Sequence, residues 1–190
     1  MMLTSSSPTA APRAVRTCRL AALASAAAVT AVLAGCAHTD HSTPIAQAHI
    51  TPTPGHQIDG QFRLYQVDRQ TVRVTAQVKG LAPNSVHGFH IHEKGDCSAP
   101  DATSAGGHYN PTGHAHGKAG MESHVGDLPS LVADNTGTAT LIWETRNLSI
   151  GDGKPTDVLG RAVILHRDRD DYTSQPAGNS GARIGCGVIR

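Results

Sequence analysis

Seven side chains in this sequence carry donor atoms suited to metal ions: His90, His92, His108, His116, His124, Asp127 and His166. Such a set can hold two ions if one imidazole is shared, because each ring offers two nitrogens. The three nitrogens and one carboxylate oxygen of His108, His116, His124 and Asp127 suit a tetrahedral Zn(II) that does no redox chemistry. Four imidazoles without a closed thiolate set favour Cu(II), whose tetragonal preference and high place in the affinity order fit nitrogen donors. Together the donors describe a redox site rather than a structural staple.

No single histidine carries that reading. His90-Ile91-His92 sits in a strand pattern that puts both rings on one face and Ile91 in the core. Yet His114-Ala115-His116 repeats the same pair in a sequence with 12 histidines, so the motif alone is weak. His166 closes the apolar run Arg161 to His166, where a lone histidine is usually a surface residue. The signal is the coincidence of donors on separated segments, with glycines at the tight turns of the loop that carries most of them.

The elements that must position these donors read as strands. Ile58 to Val67 and Thr71 to Leu81 form a hairpin pattern, the second arm alternating Val72, Val74, Ala76, Val78 against Arg73, Thr75, Gln77, Lys79. Further strands are predicted at Val86 to His92, Ser130 to Ala133, Thr138 to Glu144, Arg161 to His166 and Gly185 to Ile189. Between them lie a long Gly-rich loop, Glu93 to Leu128, and a shorter polar one, Arg167 to Ala182, of the length at which loops are commonly functional. Aromatics make up only 3% of the chain. The pattern predicts an all-β antiparallel sandwich or barrel.

The 190 residues suffice for a leader and one domain, and a net charge of +1 provides no global basic field for nucleic acid. Arg13, Arg16 and Arg19 precede an apolar run from Leu20 to Leu33, too short to span a bilayer as a helix but suited to an export signal. The run ends in Leu33-Ala34-Gly35-Cys36, which resembles a bacterial lipobox and implies lipidation of Cys36 with cleavage before it. The expected division is a signal peptide over 1–35, a lipidated flexible tether over 36–48 and a domain over 49–190. Cys18 would leave with the leader and Cys36 would carry lipid. Cys97 and Cys186 remain, expected as an oxidised pair outside the cytoplasm, the alternative being two free buried thiols.

Gly88-Phe89-His90-Ile91-His92-Glu93, Ser104-Ala105-Gly106-Gly107-His108, His124-Val125-Gly126-Asp127-Leu128 and the stretch from Gly178 through Arg183 and Cys186 to Ile189 together resemble the copper,zinc superoxide dismutases of the bacterial exported type. The resemblance runs from about Ala48 to the C-terminus. It implies a Greek-key, immunoglobulin-like barrel, copper on His90, His92, His108 and His166, and zinc on His108, His116, His124 and Asp127, with His108 bridging. It further implies that Asp170 hydrogen-bonds a histidine of each site and that Arg183 draws and orients superoxide. Cys97 and Cys186 match the family's bridge between the metal-site loop and the barrel. His87 matches a structural histidine, and His116 is favoured over His114. Two departures stand out: Arg167 to Ala182 lacks the acidic-pair-plus-lysine pattern of eukaryotic members, and Ala177 replaces a common threonine. The implied activity is superoxide dismutation in the cell envelope or periplasm by a protein anchored to the membrane through Cys36, with monomer and homodimer both open. The competing class is a copper-buffering lipoprotein without turnover.

Overall fold

The computed structural model describes residues 42–190. The expected leader, the lipid-bearing Cys36 and the tether through His41 lie outside the described residues. The strands are β1 (Ala46–Pro52), β2 (Asp59–Gln66), β3 (Val72–Lys79), β4 (Val86–His87), β5 (Phe89–His92), β6 (Leu131–Val132), β7 (Ala139–Thr145), β8 (Ala162–His166) and β9 (Arg183–Val188).

Alternation along β2 and β3 produces the expected hairpin, paired from Asp59↔Lys79 to Gln66↔Val72. Phe62, Leu64, Val72, Val74, Ala76 and Val78 all point to one buried face. Seven strands join antiparallel in the order β5-β8-β9-β1-β2-β3-β7, and β4 pairs separately with β6. In a flat sheet β5 and β2, four strand spacings apart, would lie about 19 Å from each other. Their Phe89 and Phe62 rings meet edge to face with centroids 5.9 Å apart. The sheet therefore curls onto itself, and the core fills the space inside. Strand β7 neighbours β3 although β4, β5 and β6 intervene in sequence, which gives the Greek-key crossover.

Two boundaries differ from the sequence-based expectation. Ala46, Gln47 and Ala48, expected in the tether, are the first residues of β1, with Ala46 and Ala48 buried and Gln47 exposed. The two strands approach closely here, since a Cβ on Gly187 of β9 would overlap His49 O and lie 3.3 Å from Ala48 Cβ. The run Val86 to His92 is also two strands. Gly88 separates them, donating to Asp168 O (2.8 Å) and accepting from His166 N (2.9 Å), so that β4 and β5 find different partners.

All four β5 residues are buried: Phe89 and Ile91 in the core, His90 and His92 on the opposite face. A disulfide joins Cys97, at the start of the long loop, to Cys186 on β9. It closes a separation of 89 residues, worth about 4.6 kcal/mol by the loop-entropy relation. Replacing both cysteines by serine should lower the unfolding free energy by up to that amount in a denaturant titration. A change below about 1 kcal/mol would show that the bridge constrains little of the unfolded chain.

Candidate metal centre

The centre is built on the outward face of β5. Backbone bonds attach the long loop to this strand: Ile91 N donates to Gly126 O (2.8 Å), Tyr109 N to Ile91 O (2.8 Å) and Gly126 N to Tyr109 O (2.9 Å). His108 and Asp127 thereby come to lie opposite His92 and His90 as isolated bridge partners. Position 126 requires glycine, because a Cβ there would overlap Ile91 O and lie 3.0 Å from Tyr109 N. His166 arrives from the end of β8, beside β5 in the sheet.

Two four-donor groups of buried side chains result. His90, His92, His108 and His166 bring one ring nitrogen each to a common point, all within 4.8 Å of one another. Those nitrogens are His90 Nδ1, His92 Nε2, His108 Nε2 and His166 Nε2, and each is buried without a hydrogen-bond partner. The opposite nitrogens are all engaged: His90 Nε2 with Asp170 (2.7 Å), His92 Nδ1 with Gly106 O (2.9 Å), His166 Nδ1 with Gly181 O (3.2 Å) and His108 Nδ1 with Asp127 (3.0 Å). A ring that donates through one nitrogen presents the lone pair of the other. Four convergent lone pairs among buried side chains fit a cation that prefers imidazole, such as copper.

The second group is His108, His116, His124 and Asp127. His108, His116 and His124 bring Nδ1 to within 3.0, 3.0 and 3.3 Å of the same oxygen, Asp127 Oδ1. His124 Nδ1 also lies 3.4 Å from His108 Nδ1. Four donor atoms at bond distances of about 2.0 Å from a tetrahedral ion are separated by about 3.3 Å. The spacing fits zinc better than it fits three hydrogen bonds crowded onto one oxygen. His108 is the one residue with a nitrogen in each group.

Asp170 joins the two. Its Oδ2 accepts from His90 Nε2, and its Oδ1 accepts from His116 Nε2 (2.9 Å) and Tyr172 N (2.7 Å). The neighbouring Asp171 faces away and caps Thr173, Ser174 and Asn179. His114 is exposed and contributes only its carbonyl, to Asn110. His87 is buried between Ser85 Oγ (2.7 Å) and His166 O (2.8 Å), a satisfied structural histidine. Arg183, half-buried, directs its two terminal nitrogens to Ala102 O and Gly106 O, each at 2.6 Å. Gly106 O thus holds both Arg183 and His92.

Several contributors left no trace in the sequence. Gly106 and Gly181 act through carbonyls, which every residue possesses. Gln175 grips the His116 backbone at both ends, accepting from its N–H (2.8 Å) and donating to its carbonyl (3.0 Å). No spacing rule singles out that glutamine.

Burial pushes the rings toward neutrality, the form that binds metal: His90 to about 4, His166 to about 3 and His92 to about 2, with His124 also lowered. For His116 burial acts in the same direction, but Asp127 and Asp170 outweigh it and raise the ring to about 9. Burial opposes ionisation of the two aspartates, yet their histidine partners hold both well below the usual carboxylate range. Stability falls as pH drops wherever the unfolded chain binds more protons than the folded one, and falls as pH rises wherever it binds fewer. Below the ordinary histidine value of 6.5, His90, His92 and His166 refuse protons that the unfolded chain accepts. Between 6.5 and about 9 the folded chain instead keeps a proton on His116 that the unfolded chain has lost. The metal-free protein should therefore be most stable near pH 6.5, declining gently toward pH 9 and steeply toward pH 4. Urea midpoints that hold constant or rise from pH 6.5 to 4.5 would contradict this balance.

Residues 58–189 match the family described as copper/zinc superoxide dismutase (SODC). A superoxide dismutase [Cu-Zn] of Aquifex aeolicus is 38% identical over 76% of this chain and 86% of its own. That of Paramecium bursaria Chlorella virus 1 is 42% identical over 77% and 78%. Among solved structures, a SOD-like protein from Bacillus subtilis superposes with a TM-score of 0.67 at 35% identity, covering 74% of this chain and 95% of its own. With the fold, the two donor groups and the family match in agreement, the chain belongs to the copper/zinc superoxide dismutases, oxidoreductases that act on superoxide with one copper and one zinc per subunit.

Proposed function

We propose that His90, His92, His108 and His166 hold the copper, that His108, His116, His124 and Asp127 hold the zinc, and that His108 bridges them as an imidazolate. The observation that carries this assignment is the set of four buried imidazole nitrogens left without partners and aimed at one point. Buried polar atoms are rarely left unsatisfied, because each costs about 1–3 kcal/mol. A copper ion supplies the electron exchange by which two superoxide ions and two protons become dioxygen and hydrogen peroxide, while zinc contributes fixed charge.

The protein's own groups do the rest. Arg183, locked by two carbonyls, presents a permanent cation that attracts the anionic substrate and orients it. His108 would carry a proton at Nε2 whenever that nitrogen is not engaged by copper, taking it up as the first superoxide is oxidised and giving it to the second, whose other proton comes from solvent. With Nδ1 on the zinc side, the ring would keep its place. Asp170 fixes His90 and His116 in their tautomers, which keeps the two halves in register.

The disulfide fits an oxidising compartment. With the apolar leader and Cys36, it supports export and a lipid anchor that places the enzyme in the cell envelope, where it removes extracytoplasmic superoxide. In an expressing cell, Cys36→Ser should abolish fatty-acid labelling and shift the protein to the soluble fraction. Labelling that survives the substitution would refute the anchor.

The assignment is tested by superoxide consumption of the protein when metal-free, with copper alone, and with copper and zinc. Turnover should require copper and increase with zinc. Stoichiometric copper binding without turnover would favour metal buffering instead. Arg183→Ala should lower the rate constant roughly tenfold and weaken its salt dependence, with Arg183→Lys intermediate. An unchanged salt dependence would move steering elsewhere.

A further inference from the structure

We infer that Gly178 is a positioning residue for the zinc half of the centre, through Asp170 and His116. This rests on the zinc assignment proposed above. Gly178 packs against the junction where Asp170 meets His116. A Cβ on it would overlap Asp170 Oδ1, lie 2.8 Å from the carboxylate carbon and lie 2.6 Å from His116 Nε2, closer than Cβ atoms approach other atoms.

Neither neighbour can move aside independently. Asp170 and His116 are buried, and Oδ1 is tied to both His116 and Tyr172 N while Oδ2 is tied to His90. Gly178 cannot retreat either, since its N–H donates to Ser174 O (2.7 Å) and its carbonyl accepts from Asp171 N (3.0 Å). The same loop holds Tyr172 at a φ of 60°, an uncommon conformation for an aromatic residue, which aims its N–H at Asp170. Backbone on both sides of the carboxylate is thus shaped to fit it.

Gly181, three residues on, is a useful contrast. A Cβ there would meet the carboxylate of Asp168, which is partly exposed and can swing into solvent. Both glycines have positive φ, at 62° and 72°, so conformation alone does not distinguish them. The difference is what the missing side chain leaves room for: at Gly178, a buried carboxylate shared by two histidines.

The test is Gly178→Ala, with Gly153→Ala as control for backbone strain, since Gly153 has a φ of 69° and nothing within 4 Å of its Cβ position. Zinc affinity is read by competition with a chelator, and the copper environment by the Cu(II) electron paramagnetic resonance spectrum. Gly178→Ala should weaken zinc at least tenfold, within the range typical of groups that orient metal ligands, and should alter the Cu(II) hyperfine splitting through the loosened Asp170–His90 bond. Gly153→Ala should change neither. Zinc affinity within twofold of the parent with an unaltered spectrum would overturn the inference.

If Gly178→Ala does not fold, the double variant Asp170→Ala/Gly178→Ala decides. Asp170→Ala removes the carboxylate that the new methyl would strike and releases the His116 ring, which the methyl also crowds, to tilt away, so the double variant should bind zinc as Asp170→Ala does. A further loss beyond threefold would mean that strain, not the carboxylate, sets the effect. A parent protein that takes up no zinc would overturn the zinc assignment itself, and with it this inference.

Discussion

The structure depends on a constraint of protonation. Six histidines and two aspartates are buried together, and each ring must give up the proton on any nitrogen that is to face a metal. Burial alone would leave their orientation undetermined, since an unanchored imidazole can flip or exchange tautomers. Four of the rings are therefore held at one nitrogen: His92 by Gly106 O, His166 by Gly181 O, and His90 and His116 by the two oxygens of Asp170. Because half of these anchors are backbone carbonyls, the shape of the loops is the shape of the site.

Everything that fixes those loops therefore serves the chemistry. The bonds among Ile91, Tyr109 and Gly126 extend the sheet into the long loop, and only a residue without a side chain allows that approach at position 126. Tyr109 is pinned in turn, its hydroxyl donating to Pro155 O (2.6 Å) and its ring lying 4.0 Å beneath the Arg161 guanidinium. The disulfide fastens the start of the same loop to β9, the strand that carries Arg183. Arg183 then grips Ala102 and Gly106 in that loop, so the group proposed to orient substrate and the carbonyl holding His92 belong to one braced unit.

This organisation explains what the sequence discloses and what it conceals. The hairpin of β2 and β3 is legible because a half-buried face forces strict alternation. The donor residues are legible because few side chains bind metal, and their coincidence on separate segments is improbable without a centre. Strand β1 is harder to recognise: its inward residues Ala46 and Ala48 are small enough to pass for a polar tether, and the strands that cover them, β2 and β9, are distant in sequence or follow only later. The break at Gly88 depends on where Asp168 and His166 place their backbone groups, which no local pattern encodes. The choice of His116 over His114 follows in space from Asp127, Asp170 and Gln175, partners 11 to 59 residues distant. The carbonyls of Gly106 and Gly181 have no side-chain signature at all.

The two stabilising devices of the fold act on opposite ends of the folding equilibrium. The cross-link restricts the unfolded chain whether or not metal is present. A bound ion instead acts on the folded state, by satisfying nitrogens whose burial without partners costs about 1–3 kcal/mol each, so that part of the binding free energy becomes folding free energy. A centre organised for tight metal binding is thus a source of instability until it is filled, and the neutral, lone-pair-bearing rings that make it reactive are the same ones that make it costly. The disulfide offsets that cost from outside the site. Its bond ends on Cys97 and Cys186, neither of which belongs to a donor group, so the barrel can be held in shape without using a single donor that the metals require.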